Sequence, residues 1–138
     1  MHVPRGRRHA DDDHGQAVAT VLVVEDDEDL RNALTYGLQA EGFAVEAVSS
    51  ANAAYACVER IGPDVVLLDW WLAEGDQGAA ACRHLAEECG IPVVMHTGMT
   101  DARDRAAAFR AGAVAFIQKG TPLEELAARL HKVVADAA

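Results

Sequence analysis

The stretch Asp64-Val65-Val66-Leu67-Leu68-Asp69 decides the predicted fold, because four consecutive apolar residues end in a carboxylate. Three other mainly apolar runs also end in polar side chains: 20–24 precedes Glu25, Asp26 and Asp27, 91–96 precedes Thr97, and 114–118 precedes Lys119. In an open parallel sheet, ligands bind just beyond the carboxyl ends of the strands. The sequence therefore places an acidic cluster, a hydroxyl and one ammonium at the same edge of a predicted sheet.

The chain from Thr20 onward alternates between short apolar strands and segments with helical spacing. The strands are predicted at 20–25, 43–47, 64–68, about 91–96 and 114–118. The helices are predicted at about 27–40, from Ser49 or Ser50 to Gly62, at about 78–88, from a Thr100 cap to Gly112, and from a Thr121 cap, with Pro122 at the first helical position, to about 135. Because the strands are apolar on both faces, helices are expected on both sides of a parallel sheet. Right-handed crossovers then predict an α/β, flavodoxin-like, doubly wound sheet of five parallel strands in the order 2-1-3-4-5.

The composition and charge limit the class of protein. A chain of 138 residues, 51% of them hydrophobic, is sufficient for one domain, predicted at 19–138 after a polar, disordered tail at 1–18. The net charge of −10 argues against sequence-independent nucleic-acid binding, because phosphate contacts require a basic surface. No apolar run is long enough to span a bilayer, and Cys57, Cys82 and Cys89 show no CxxC spacing. A cytoplasmic protein with reduced thiols is therefore expected.

The acidic residues at the predicted sheet edge suggest a metal site. Glu25, Asp26 and Asp69 would bring three carboxylates together, and these repel one another unless a hard divalent cation neutralises them. Oxygen ligands with few protein contacts and several waters suit Mg²⁺. Asp27 and Asp29 have a simpler explanation, because acidic side chains are favoured in the first turn of a helix.

The combination of side chains at this edge indicates phosphoryl transfer to a carboxylate. Taken singly, Asp69 fits a turn, Thr97 a loop and Lys119 an exposed surface. Together, an aspartate nucleophile, a metal beside it, a hydroxyl donor and a lysine charge are the groups that this reaction requires. The protein's contribution to such a reaction is positioning and charge neutralisation.

These residues resemble those of the receiver domain of two-component response regulators, over about residues 20–135. The stretches that carry the resemblance are Val21-Leu22-Val23-Val24-Glu25-Asp26-Asp27, Asp64-Val65-Val66-Leu67-Leu68-Asp69-Trp70, Pro92-Val93-Val94-Met95-His96-Thr97-Gly98 and Phe116-Ile117-Gln118-Lys119. The resemblance implies that Asp69 accepts a phosphoryl group from a phosphohistidine of a histidine kinase or phosphotransfer protein. It also implies that Asp26 binds Mg²⁺ directly, that Glu25 acts through water, and that the backbone carbonyl of Trp71 is a further ligand.

The resemblance further implies a two-state signalling switch rather than an enzyme acting on other molecules. Thr97 is expected to hydrogen-bond the phosphoryl oxygens, and Lys119 to form a charge-assisted contact with them. Movement of Thr97 is expected to let Phe116 turn inward and to change the surface of the fourth helix, fifth strand and fifth helix. The domain itself is expected to catalyse its phosphorylation and dephosphorylation.

The sequence departs from the family pattern at several positions. Ala73 replaces a common proline, and the loop from Ala73 to Gly78 is one residue longer than usual. Gly120 replaces a proline that follows the lysine through a cis bond, and a trans bond is expected here because a cis non-proline bond costs about 3–4 kcal/mol. Bulky Trp71 and Met99 border the expected route of the attacking water, so slow self-dephosphorylation is predicted.

Three alternatives are weighed against the receiver interpretation. A haloacid-dehalogenase-type phosphatase needs a second aspartate two positions after the nucleophile, and a cobalamin-binding domain needs a histidine there. Trp71 occupies that position and excludes both. An interaction-only receiver that takes up no phosphate is disfavoured by the joint presence of Asp26, Asp69, Thr97 and Lys119.

The output of the domain is expected to be protein–protein contact. About twenty residues precede the first predicted strand and none follow the last helix, so a stand-alone receiver is expected, monomeric or weakly dimeric. The alternative is a fragment of a hybrid histidine kinase or of a DNA-binding response regulator. The expected partners are a cognate kinase or phosphotransfer protein and a downstream protein, with no direct contact to nucleic acid or membrane.

Overall fold

The computed structural model describes residues 18–72, 77–98 and 101–138. Its five strands are β1 (Thr20–Val24), β2 (Ala44–Val48), β3 (Val65–Leu68), β4 (Val93–Thr97) and β5 (Ala115–Gln118). All neighbouring strands pair in parallel, in the order β2-β1-β3-β4-β5. The predicted fold class and strand order are confirmed.

Helices connect the strands. They are α1 (Glu28–Ala40), α2 (Ala51–Ile61), α3 (Gln77–Arg83), α4 (Ala102–Arg110) and α5 (Leu123–Ala137), and a π-helical turn at His84–Glu88 continues α3. Two predicted helix boundaries are confirmed by their contacts. Ser50 caps α2 by accepting from the Ala53 N–H, and Gly62 ends that helix in the left-handed region at φ 56°.

The predicted start of α5 is shifted. Thr121 does not cap α5, because its hydroxyl donates to the Gln118 carbonyl instead; Pro122 is the residue before the helix, which begins at Leu123. Asp101 caps α4 by accepting from the Arg103 N–H. The predicted Thr100 cap lies outside the described residues, as do the tail at 1–17, most of the Ala73–Gly78 loop, and Met99.

The sheet is covered on both faces, as its apolar strands predicted. Successive residues of a strand point to opposite faces, so Val65 and Leu67 lie in one cluster and Val66 and Leu68 in the other. The first cluster is completed by α1 and α5, and the second by α2, α3 and α4. Burial on both faces removes apolar surface from water and fixes β3 in the centre of the sheet. The tip of β3 is therefore held rigidly.

Two further expectations concern the described residues. Within them, no helix is long and apolar enough to cross a membrane. All three cysteines are free thiols; Cys57 and Cys82 are buried, and burial raises the pKa of Cys82 to about 11.

Candidate functional site

The carboxyl ends of β1 and β3 place two acidic residues side by side. Val24 pairs with Leu68 in the sheet, so Glu25 and Asp69 follow the two strands at the same level. The Asp69 N–H donates to the Val24 carbonyl at 3.0 Å, which extends the strand pairing to the aspartate. The sheet itself therefore sets the position of Asp69.

The carboxyl ends of β4 and β5 bring the hydroxyl and the ammonium to the same edge. Thr97 pairs with Gln118, and the Lys119 N–H donates to the Thr97 carbonyl at 2.8 Å. Thr97 is almost fully buried, whereas Lys119 is partly exposed. Thr97 at the end of β4 and Lys119 after β5 thus lie at the same edge of the sheet as Asp69.

Three carboxylates gather at this edge, as predicted. One oxygen from each of Glu25, Asp26 and Asp69 lies within 4.8 Å of the others. Glu25 is 1% exposed and Asp69 4% exposed, while Asp26 is exposed. The acidic cluster therefore consists of two buried carboxylates and one that is accessible to solvent.

Lys119 joins the two buried carboxylates. Its Nζ lies 3.0 Å from Oε1 of Glu25 and 3.2 Å from Oδ2 of Asp69, donating a hydrogen bond to the latter. The other oxygen of each carboxylate accepts a backbone N–H, from Asp27 for Glu25 and from Trp71 for Asp69, both at 3.1 Å. Glu25 and Asp69 are therefore fixed in orientation before any ligand binds.

Comparison with known proteins identifies the family. The family described as response regulator receiver domain matches residues 21–131. The chain belongs to the response regulator receiver family. It is 38% identical over 111 residues to the DNA-binding response regulator MtrA of Mycolicibacterium paratuberculosis, covering 80% of this chain and 49% of that protein. It is 35% identical over 117 residues to the sensory transduction protein RegX3 of Mycobacterium bovis, covering 85% of this chain and 51% of that protein.

A solved structure supports the fold of this receiver domain. The CheY-like receiver domain protein of Methanospirillum hungatei superposes with a TM-score of 0.81 at 22% identity, covering 88% of this chain and 97% of that one. At this level of identity the likeness concerns the fold alone. The chain spans about half the length of the curated relatives that it matches.

Burial and charge act in opposite directions on the titration of the receiver site. Burial raises the pKa of both Glu25 and Asp69, although the nearby ammonium and the backbone N–H groups counteract part of the rise. Burial alone would lower the pKa of Lys119, but its contact with Glu25 and the charge of Asp69 outweigh that effect and raise it. The ammonium is therefore retained as a positive charge facing the acidic cluster.

The site fits a divalent cation. When ionised, three carboxylates and one ammonium leave two uncompensated negative charges. Oε1 of Glu25 is buried and lies 3.0 Å from the Lys119 ammonium, with no further hydrogen-bond partner among the described residues. A carboxylate oxygen has two lone pairs, so Oε1 can also accept from a metal-bound water, and the all-oxygen donor set suits Mg²⁺. The predicted role of the Trp71 carbonyl as a ligand stays a prediction.

The predicted switch residue is already buried. Phe116 is 8% exposed and pairs with Met95 across the sheet. The guanidinium carbon of Arg105, on α4, lies 5.4 Å from the centre of the phenyl ring in a cation–π contact. The predicted inward turn of Phe116 stays a prediction, but the ring starts from a position in the core and beneath an arginine.

Sequence reasoning missed two residues beside the site. Arg31 donates from Nη1 to the Glu25 carbonyl at 2.9 Å, and the same nitrogen lies 3.4 Å from the Asp26 carbonyl. His96 is 4% exposed, and burial together with the Lys119 charge lowers its pKa to about 4. The only sequence signals were an arginine in the first helix after the acidic cluster and a histidine inside an apolar strand.

Two predictions about neighbouring residues are confirmed. No cis peptide bond occurs in the described residues, so the bond from Lys119 to Gly120 is trans, and Gly120 adopts a left-handed φ of 97°. Asp27 is a helix cap rather than a member of the acidic cluster, because its Oδ1 accepts from the Leu30 N–H at 3.0 Å. Asp29 lies in the first turn of α1, as expected.

Proposed function

We propose that this receiver domain accepts a phosphoryl group on Asp69 from the phosphohistidine of a histidine kinase or phosphotransfer protein, in a reaction that requires Mg²⁺. One observation carries the proposal: the Asp69 carboxylate is held at a strand tip, 3.2 Å from the Lys119 ammonium and among carboxylates that fit a cation. A carboxylate oxygen attacks phosphorus and forms the acyl phosphate, while the bond from phosphorus to the histidine nitrogen breaks and that nitrogen retains the electron pair.

Lys119 and Thr97 have distinct roles in this proposal. Lys119 Nζ contacts Oδ2 of Asp69, whereas Oδ1 is bound by the Trp71 N–H. As negative charge develops on the phosphoryl oxygens, the ammonium is close enough to turn toward them from Asp69 and Glu25. Thr97 supplies a hydroxyl from the neighbouring strand tip. Backbone pairing fixes the main chain of both residues, so that only their side chains have to turn, which favours the reaction through preorganisation.

The acidic cluster would hold the cation. Asp26 is the exposed carboxylate and the direct ligand in this proposal, with Glu25 acting through water, Asp69 as the third carboxylate and Trp71 contributing its carbonyl. A bound cation would supply positive charge that offsets the negative charges of the phosphoryl group and the carboxylates. The domain thereby catalyses its own phosphorylation and dephosphorylation, without acting as an enzyme on other molecules.

A downstream protein would recognise the surface that α4, β5 and α5 form together. Phe116 lies on β5 beneath Arg105 of α4, so a change in this contact alters the surface that both elements form. A partner shifts the population of the two states only by its differential affinity for them. Phe116→Ala is expected to weaken the effect of phosphorylation on partner affinity; full retention of that effect would contradict this route.

Direct contact with DNA is not part of the proposal for this domain. The relatives named as DNA-binding are about twice as long as the matched region, and the net charge of −10 disfavours a phosphate-binding surface here. We propose that this receiver domain, monomeric or weakly dimeric, regulates protein partners, either as a single-domain protein or as part of a hybrid kinase or a DNA-binding regulator.

The proposal is tested by intact mass. The protein is incubated with acetyl phosphate and Mg²⁺, and one added phosphate is expected in the wild type. Asp69→Asn keeps the size of the side chain but lacks the nucleophilic carboxylate, so no addition is expected. An equal gain of phosphate by Asp69→Asn, or none in the wild type with Mg²⁺ present, would refute it.

A further inference from the structure

One arginine holds the backbone of the turn between β1 and α1. Nη1 of Arg31 lies 2.9 Å from the Glu25 carbonyl and 3.4 Å from the Asp26 carbonyl. A guanidinium is planar and rigid, so a single nitrogen shared by two successive carbonyls restricts both peptide planes. The direction of the bond from Cα to Cβ of Asp26, which lies between those planes, is restricted with them.

Arg31 is itself anchored in α1. Its backbone N–H donates to the Asp27 carbonyl at 2.8 Å, and its own carbonyl accepts from the Thr35 hydroxyl at 2.8 Å. The side chain is partly buried. The contact with the turn therefore comes from a stable helix rather than from a mobile surface residue.

The three carboxylates of the cluster differ in how they are held. Side chains of Glu25 and Asp69 are fixed directly, by backbone N–H groups and by Lys119. The exposed Asp26 carboxylate accepts no hydrogen bond within residues 18–72, 77–98 and 101–138. Its direction depends on its backbone. Arg31 contacts the carbonyls on both sides of the Asp26 Cα, and Glu25 Oε2 accepts the N–H of the second of these peptides.

We infer that Arg31 is a positioning residue for the divalent cation, acting through the Glu25 and Asp26 carbonyls to aim the Asp26 carboxylate at the cluster. This inference rests on the proposed function only in assuming that the cluster binds a cation. The positive charge of Arg31 has the opposite effect, since it repels a cation. The two contributions differ in sign, so replacing Arg31 by an uncharged residue distinguishes them.

The test is a Mg²⁺ titration of Arg31→Met and the wild type, followed by the fluorescence of Trp70 and Trp71 beside Asp69. If the Asp26 carboxylate is no longer directed at the cluster, Arg31→Met should bind Mg²⁺ about tenfold or more weakly than the wild type, the effect typical of losing an outer-shell partner. Arg60→Met is the matched control: it removes the same charge from α2, where Arg60 contacts Glu46 instead. The control is expected to bind Mg²⁺ as the wild type does.

A second measurement distinguishes a misdirected Asp26 carboxylate from general disruption of the turn. Mg²⁺ requires near-octahedral geometry, whereas Ca²⁺ tolerates flexible coordination. Arg31→Met is therefore expected to lose more affinity for Mg²⁺ than for Ca²⁺, and Arg31→Lys, which keeps the charge and reaches one carbonyl, to be intermediate. Urea unfolding in EDTA measures folding separately, and Arg31→Lys decides the question if Arg31→Met does not fold.

Three results would overturn the inference. Unchanged or tighter Mg²⁺ binding by Arg31→Met would show that charge alone matters, or that the contact has no effect. Equal losses for Mg²⁺ and Ca²⁺ would show general disruption of the turn. A wild type that binds neither ion would overturn both this inference and the metal requirement of the proposed function, whereas the first two results leave that function intact.

Discussion

Replacing His96 by phenylalanine should remove a large part of the acid sensitivity of folding. His96 lies on β4 and is 4% exposed. It follows Val94 at a spacing of two and so points to the same face of the sheet, where the α1 and α5 cluster packs. Burial disfavours the imidazolium, and the Lys119 ammonium adds to that effect, which together lower the pKa of His96 from 6.5 to about 4.

The sign of the effect follows from proton binding. Between pH 6.5 and about 4 the unfolded chain binds a proton at His96 that the folded protein does not, so the free energy of unfolding falls as the pH falls through this window. Above pH 6.5 the contribution is fully present. The shift from 6.5 to about 4 corresponds to about 3 kcal/mol. The raised pKa values of Glu25 and Asp69 act in the opposite sense, so the comparison uses the difference between wild type and variant.

Urea denaturation at a series of pH values from about 7 down to about 4.5 measures this difference. Over this pH range, the free energy of unfolding of the wild type should fall by most of about 3 kcal/mol relative to that of His96→Phe, because the pKa of His96 is lowered to about 4. Val94→Ala is the control, because it disturbs the same face of β4 without a titrating group and should lower stability by a constant amount. Parallel pH profiles for the wild type and His96→Phe would refute the reasoning.

Three further predictions concern the site and its support. Lys119→Met removes the ammonium that pairs with two buried carboxylates, and it should destabilise the metal-free protein by about 3 kcal/mol. In urea denaturation, Mg²⁺ should stabilise the variant more than the wild type, and equal responses to Mg²⁺ would contradict this. Gly78→Ala should lower the melting temperature strongly, because its methyl group would overlap the Trp70 carbonyl, while Gly98→Ala meets nothing within 4 Å and should be neutral; similar melting temperatures would count against the close contact. Trp71→Asn should shorten the lifetime of the phosphorylated form, because Trp71, which is 47% exposed and two residues after Asp69, is expected to border the route of the attacking water. The lifetime is measured as loss of the added mass, and an unchanged lifetime would argue against shielding.

The sequence predicted the placement of the site residues because each depends on the end of a strand. A parallel sheet aligns the carboxyl ends of its strands, so the last residue of β4 and the residues after β1, β3 and β5 lie at one edge whatever the loops do. Glu25, Asp69 and Lys119 are close for this reason, and the structure gives their distances.

Other features could not be read from residue patterns. The Arg31 contact joins a side chain to backbone carbonyls, and carbonyls are the same for every residue type. The start of α5 was misplaced because a threonine before a proline is a typical cap, but here the Thr121 hydroxyl bonds back to Gln118. The buried position of Phe116 depends on packing against distant α4, which a local pattern does not encode.

The most direct test of the central claim is to locate the acyl phosphate. Borohydride reduces an aspartyl phosphate to homoserine, so protein treated with acetyl phosphate and Mg²⁺ can be reduced, digested and sequenced by mass spectrometry. Homoserine at position 69, absent when the metal is chelated, is the predicted result. Homoserine at position 26 or elsewhere instead, or the same yield at 69 with the metal chelated, would contradict the account.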